Sequence, residues 1–223
     1  MLSEKAQNDL YQRFVNKKVL KSLHENFSFE GFQSKIDNTK CYSSVAYIDI
    51  YGFSNKIMNY STEQVRDYLS EYYSYILKYI KAYNGQIEKI MGDGIIVVFS
   101  KIFGEIKTDR KSSDNCFLCC KECVESLYST EFEVKAAIGN GSLFFCKTGV
   151  EQIYEEYSCI GHPLTIAYRL ENIAEKNQIL LMANTDLSAR VKNSAELLSA
   201  WEQKETITFL KGIKESKVHI VQY

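Results

Sequence analysis

Two aspartates stand where a carboxylate is costly. Asp49 sits in Ile48-Asp49-Ile50, inside a stretch that otherwise reads as a buried strand, and Asp93 sits between Gly92 and Gly94. A charged group among buried residues is expensive unless it is paired or holds a metal. Two converging carboxylates are hard oxygen donors that suit Mg²⁺, which usually shares its ligands with substrate phosphates. The residues alone equally permit a turn aspartate at 93 and a salt-bridged one at 49. A second group, Cys116, Cys119, Cys120 and Cys123, has the look of a zinc cluster. Its two CxxC pairs overlap within one helical stretch, with no loop between them to bring four sulfurs onto one tetrahedron; the spacing favours an apolar stripe over a metal site. GHPLTIAYR, ending at Arg169, reads in isolation as a helix start with a surface arginine, and Lys211 before Gly212 as a turn lysine. His24, His162 and His219 are scattered and read as structural.

The elements that must position these groups follow from periodicity. Residues 43–53, SSVAYIDIYGF, read as a central strand ending at Gly52. Val65, Tyr68, Leu69, Tyr72, Ile76 and Ile80 recur at helical spacing from Thr62 until Asn84-Gly85. QIEKI and IIVVF flank Met91-Gly92-Asp93-Gly94 as a hairpin with Asp93 at its tip. A helix is expected from about Ser113 to Ser129, then a strand in FEVKAAIGNG and a separate one in LFFCKTG. HPLTIAYRLENIAEK opens another helix, with Pro163 where its missing N–H costs nothing. QILLMA is a short strand, and the tail from Thr206 a terminal hairpin. Strands alternating with helices around an inserted hairpin predict an α+β fold with a ferredoxin-like, split-βαβ core: a mainly antiparallel central sheet flanked by helices. In such a sheet the first strand lies beside the hairpin, so Asp49 and Asp93 can meet. Residues 1–40 read as an N-terminal helix, Leu2 to Leu23, and a polar loop, and 41–223 as one domain.

Composition narrows the classes. The chain has 223 residues, with 27 Lys+Arg against 28 Asp+Glu, a net charge of -1. A dedicated duplex-DNA binder normally carries a basic excess, so no nucleic-acid partner is expected. No apolar run reaches the ~20 residues of a membrane span, and MLSEKAQNDLYQRF has no signal-peptide core. The expectation is a cytoplasmic chain without membrane insertion, its seven cysteines thiols.

Taken in order, IDIYGFS, EKIMGDGIIVVF, CIGHPLTIAYRLE and FLKGI resemble four motifs of class III nucleotidyl cyclase catalytic domains. The resemblance implies two Mg²⁺ or Mn²⁺ ions held by Asp49 and Asp93, with Ile50 among the metal-binding positions. It implies that Arg169 stabilises the transition state and that Lys211 binds the triphosphate. Lys89 and Ser158 fall on the two base-reading positions, and Phe53 among the substrate-binding ones. Thr165 falls on a catalytic position that is usually asparagine, so the usual ribose contact lacks its amide. It further implies a homodimer with shared sites, the aspartates of one subunit facing the arginine, lysine and base readers of the other. The substrate would be a nucleoside triphosphate.

The base readers and Tyr51 refine this expectation. Lys89 only donates, which disfavours guanine, and Ser158 is short and neutral. A Lys/Ser pair suits uracil or cytosine. Tyr51 lies where purine cyclases resembling this chain carry a smaller residue, so its phenol should shrink the base pocket. Tyr51 and the bare-domain look of the chain resemble the pyrimidine cyclases of bacterial anti-phage (Pycsar) systems, in which cyclic UMP or cyclic CMP activates a separate effector. The alternatives are an adenylate cyclase and a catalytically dead homologue. A diguanylate cyclase should show a Gly-Gly-Asp/Glu-Glu-Phe turn, and the hairpin here reads Met91-Gly92-Asp93-Gly94.

Overall fold

The computed structural model describes residues 32, 36–194, 198–212 and 215–223. The helix expected from Leu2 to Leu23 lies outside them. Strand β1 (Thr39–Ile50) leads through a short helix α1 (Phe53–Lys56) into helix α2 (Thr62–Ala82). Strands β2 (Gln86–Met91) and β3 (Gly94–Ser100) form the expected hairpin, followed by helix α3 (Asp109–Leu127). Strand β4 (Val134–Val150), strand β5 (Tyr154–Ile160) and helix α4 (His162–Glu171) come next. Strand β6 (Gln178–Met182), helix α5 (Asp186–Lys192), and strands β7 (Glu202–Phe209) and β8 (Glu215–Gln222) complete the described chain.

The sheet runs β2-β3-β1-β4-β6-β8-β7, with β5 paired to β4. Its first four strands have the split-βαβ order, and among the described residues only β4 and β6 run parallel. The fold is thus the mixed α+β sheet with flanking helices that the sequence predicts.

Both faces of the central strands are covered, which explains the unbroken apolar run in β3. Ala46, Ile48 and Ile50 of β1 and Ile95, Val97 and Phe99 of β3 pack under α2 and α3. Val45 and Tyr47 with Ile96 and Val98 face the other way, toward Leu143, Phe145, Cys159 and Ala167. From α2, Tyr68, Tyr72, Ile76 and Ile80 are the buried stripe. Its start is fixed by a capping box, in which Ser61 and Gln64 each accept the other's backbone N–H. Cys116, Cys119, Cys120 and Cys123 are fully buried free thiols in the core of α3. They pack as small hydrophobes.

Three expectations are corrected. Residues 134–150 form one strand rather than two, because the Gly139-Asn140-Gly141 stretch does not break it. Gly139 serves instead as a contact point: a Cβ there would meet the Pro163 carbonyl oxygen at 2.0 Å, so its absence lets α4 lie against β4. Helix α3 begins at Asp109, four residues before the expected start, because Thr108 caps it by accepting from the Lys111 N–H. Strand β5 and helix α5 were not expected from the sequence; both have short or polar patterns.

Candidate active site

Asp49 lies near the end of β1, and Asp93 lies in the two-residue tip between β2 and β3, the strand beside it. Gly92 takes the left-handed conformation (φ 63°) that lets this tip turn. The Tyr73 hydroxyl, from α2, donates to the Gly92 carbonyl and ties the tip to the helix. The two carboxyl groups share a hydrogen bond. Burial, that bond, and the negative charges of Asp93 and Glu171 push the Asp49 carboxyl up to about 8, against the opposing pull of Lys135. Lys135 Nζ lies 3.9 Å from Asp49 Oδ2 and 2.8 Å from Glu171 Oε1.

The pair opens into a pocket of about 230 Å³ lined by Asp49, Ile50, Gly52, Phe53, Asp93 and Lys135, among others. The Ile50 side chain is buried in the core under α2 and α3, so what it offers the pocket is main chain. Among the described residues no cluster of three or more His, Cys, Asp or Glu forms a metal cage. The donor set is therefore two carboxylates and backbone oxygen, hard ligands that fit a cation such as Mg²⁺, which completes its shell with water and phosphate. Small-molecule pockets usually run ~300–1,000 Å³, so this one lies below the usual size for a complete ligand site. A larger cleft of about 460 Å³ lies elsewhere, between α3 and α5, and holds neither aspartate.

The other expected residues fall into separate groups. Thr165 and Arg169 stand one turn apart on α4; Thr165 is exposed, and Arg169 Nε is buried with no hydrogen-bond partner among the described residues. Lys211 is exposed in the β7–β8 turn. Lys89 on β2 is exposed, 3.8 Å from Glu156 Oε1. Ser158 on β5 donates to Glu88 Oε1 at 2.7 Å. Tyr51, between two pocket-lining residues, donates its phenol to Glu175 Oε2 at 3.1 Å. The structure thus brings Asp49 and Asp93 together, gathers Lys89 and Ser158 through their acidic partners, and leaves Tyr51 bound to Glu175 instead of those readers. Glu88, which accepts from Ser158, is not singled out by the sequence. Burial pushes its carboxyl above the usual carboxylate range, while the Ser158 hydroxyl and Lys89 pull it back. Its signal was a carboxylate next to Lys89, but nothing in the sequence tells which of two neighbours faces inward.

Comparison with known proteins gives the family and the fold. Residues 33–222 match the family model described as the adenylate and guanylate cyclase catalytic domain. The chain is similar to an uncharacterized protein of Mycobacterium bovis, 23% identical over 206 residues, which cover 92% of this chain and 36% of that protein. It therefore spans about a third of the length of the curated relatives it matches. Its fold is similar to that of the adenylyl cyclase CyaB from P. aeruginosa (TM-score 0.70, 19% identity, 83% of this chain and 95% of that one). It is also similar to the guanylate cyclase domain of RhGC from Catenaria anguillulae in complex with GTP (TM-score 0.67, 14% identity, 82% and 98%). At these identities the likeness shows the fold.

Proposed function

Because the chain belongs to the family of adenylate and guanylate cyclase catalytic domains, we propose that it is a nucleotidyl cyclase whose substrate is UTP or CTP. Its product would be cyclic UMP or cyclic CMP together with pyrophosphate, a second messenger for a separate effector in anti-phage defence. The defence role rests on the resemblance to Pycsar cyclases alone. The coarser activity is supported chiefly by the Asp49–Asp93 pair, two adjoining carboxyls facing a small open pocket.

Asp49 and Asp93 would hold two divalent ions, with the Ile50 main chain as a further ligand. Such ions, when bound, make the ribose 3′-hydroxyl more acidic and neutralise phosphate charge. The protein's own part is positioning and charge. Arg169, whose buried Nε has no hydrogen-bond partner among the described residues, would direct its guanidinium to the phosphate oxygens that gain charge as the ring closes. Lys211, exposed in its turn, would meet the triphosphate tail. Lys89 and Ser158, on β2 and β5, do not line the pocket that holds the aspartates, and that pocket of about 230 Å³ falls below the ~300–1,000 Å³ usual for small-molecule sites. Both features support a site completed by a second copy of the chain, with the aspartates of one subunit facing α4 and β5 of the other.

The preference for pyrimidines is carried by Tyr51. It stands where purine cyclases resembling this chain carry a smaller residue, and its phenol is held by the Glu175 carboxylate at 3.1 Å. A second reading, guanylate cyclase, is favoured by Glu88, since a carboxylate accepts from the N–H groups of guanine and weakens the argument from Lys89 alone. The deciding experiment incubates the purified chain with each of the four nucleoside triphosphates and Mg²⁺ or Mn²⁺, and identifies cyclic products by mass. Cyclic UMP or cyclic CMP as the main product supports the proposal; a faster purine product replaces it. Asp49→Ala and Asp93→Ala should each abolish product formation while the chain stays folded.

A further inference from the structure

The β2–β3 ladder skips one residue. Ile87 faces Val97 and Lys89 faces Ile96, which leaves Glu88 without a cross-strand partner. Side chains in a strand alternate between faces, and a bulge re-aims them. Val97 belongs to the core under α2 and α3, and Ile87 packs there too, whereas Ile96 belongs to the opposite face. Glu88, one residue after Ile87, and Lys89, opposite Ile96, therefore both point to the face covered by β5. Without the extra residue Lys89 would oppose Ile95 and point into the core. The contacts agree: Glu88 accepts from Ser158 at 2.7 Å, and Lys89 lies 3.8 Å from Glu156, both partners on β5.

We propose that Glu88 is a specificity-determining residue: its carboxylate, oriented by Ser158, accepts an N–H from the nucleobase while Lys89 donates to the adjoining acceptor. This rests on the reading of the chain as a nucleotidyl cyclase. The Ser158 hydroxyl uses one lone pair of Glu88, and the carboxylate keeps others free for a ligand. One fixed acceptor beside one fixed donor sorts bases by the order of their groups. Uracil and guanine place a ring N–H beside a carbonyl; cytosine and adenine place an amino group beside a ring nitrogen. A base with the wrong order sets an acceptor against the carboxylate, and a site built for polar contacts rejects such a mismatch strongly.

The test is Glu88→Gln in the full chain, because an amide of the same shape donates as well as accepts. Selection between UTP and CTP, read as the ratio of kcat/KM values, is expected to fall at least tenfold. The same fall is expected in the ratio of dissociation constants for 3′-deoxy-UTP and 3′-deoxy-CTP, which lack the attacking hydroxyl. A purely structural glutamate would weaken both nucleotides equally, so ratios within twofold of the parent chain overturn the proposal. So does a parent chain that does not discriminate the two orders. If the parent chain acts on purines, the pyrimidine reading falls, and the same comparison is made with GTP and ATP, which differ in the same order. Should Glu88→Gln fail to fold, Ser158→Ala leaves the carboxylate but removes its anchor. An at least threefold loss of selection is then expected, and no loss overturns the assignment.

Discussion

The Lys135 ammonium stands 2.8 Å from the Glu171 carboxylate, with the two side chains only 16% and 9% exposed. The pair joins β4 to the last turn of α4, with Lys135 Nζ also 3.9 Å from Asp49 Oδ2. Breaking a buried pair by removing one partner leaves an uncompensated charge and costs about 3–5 kcal/mol. Lys135→Met should therefore lower unfolding stability by that order, measured by urea titration at neutral pH. Adding Glu171→Leu should restore most of it, because a matched apolar pair is often neutral. A double variant as unstable as the single one would show that the lysine matters for another reason.

Subunit mixing tests whether the site is shared. Asp93→Ala and Arg169→Ala should each be inactive alone. In a head-to-tail homodimer, mixing them rebuilds one intact site per heterodimer and places both lesions in the other. Random exchange should then return about a quarter of the parent activity, since half the dimers are mixed and half their sites are whole. If aspartate and arginine acted within one subunit, the mixture would stay inactive after exchange had been verified.

Tyr51→Ala is expected to shift selection from pyrimidine toward purine nucleotides by at least about tenfold in kcat/KM. The smaller side chain removes a steric barrier that water cannot relieve, while a pyrimidine loses packing surface. Competition assays with mixed triphosphates and mass detection of the cyclic products measure this. An unchanged ratio would remove the phenol from the base pocket.

His219 sets an acid limit on stability. It is buried in β8, in contact with the Ser188 hydroxyl through Nδ1 at 2.9 Å and the Gln203 amide oxygen through Nε2 at 3.0 Å. Burial and nearby Lys192 push its pKa down to about 4, with Glu205 opposing. The unfolded chain, with an ordinary imidazole near 6.5, binds more protons between these values, so stability falls as pH drops from about 6.5 toward 4. The loss should reach about 1–2 kcal/mol at pH 5. In His219→Gln the urea midpoint should fall correspondingly less between pH 7 and pH 5, and an identical fall in both proteins would exclude the histidine.

The parts of the fold that were legible in the sequence are those with strong local patterns. The Tyr68-Tyr72-Ile76-Ile80 stripe fixes α2, and the glycines around Asp93 fix the hairpin tip. Asp49 stood out because it interrupts an apolar strand. What escaped depends on partners distant in sequence. Gly139 and Gly141 looked like a break between strands, yet Gly139 is small because Pro163 of α4 lies against it. Tyr-Glu-Glu-Tyr in β5 has no clear alternation, because this strand lies at the margin with one side exposed. The bulge at Glu88 is a matter of register, set by how β3 is gripped from both faces, and register leaves no mark on a single strand's composition. The Lys135–Glu171 pair joins residues far apart along the chain and follows from the packing of α4 on β4.

The four cysteines of α3 give the molecule an internal clock. Cys116, Cys119, Cys120 and Cys123 have no exposed surface in the folded chain, so a thiol reagent reaches them only after α3 lifts from the sheet. Labelling that proceeds one adduct at a time would show that the helix frays, whereas four adducts arriving together would show that it leaves as a unit. The rate of that reaction measures the opening of the main core, with no probe added, and a bound nucleotide that slows it reports its own grip on the fold.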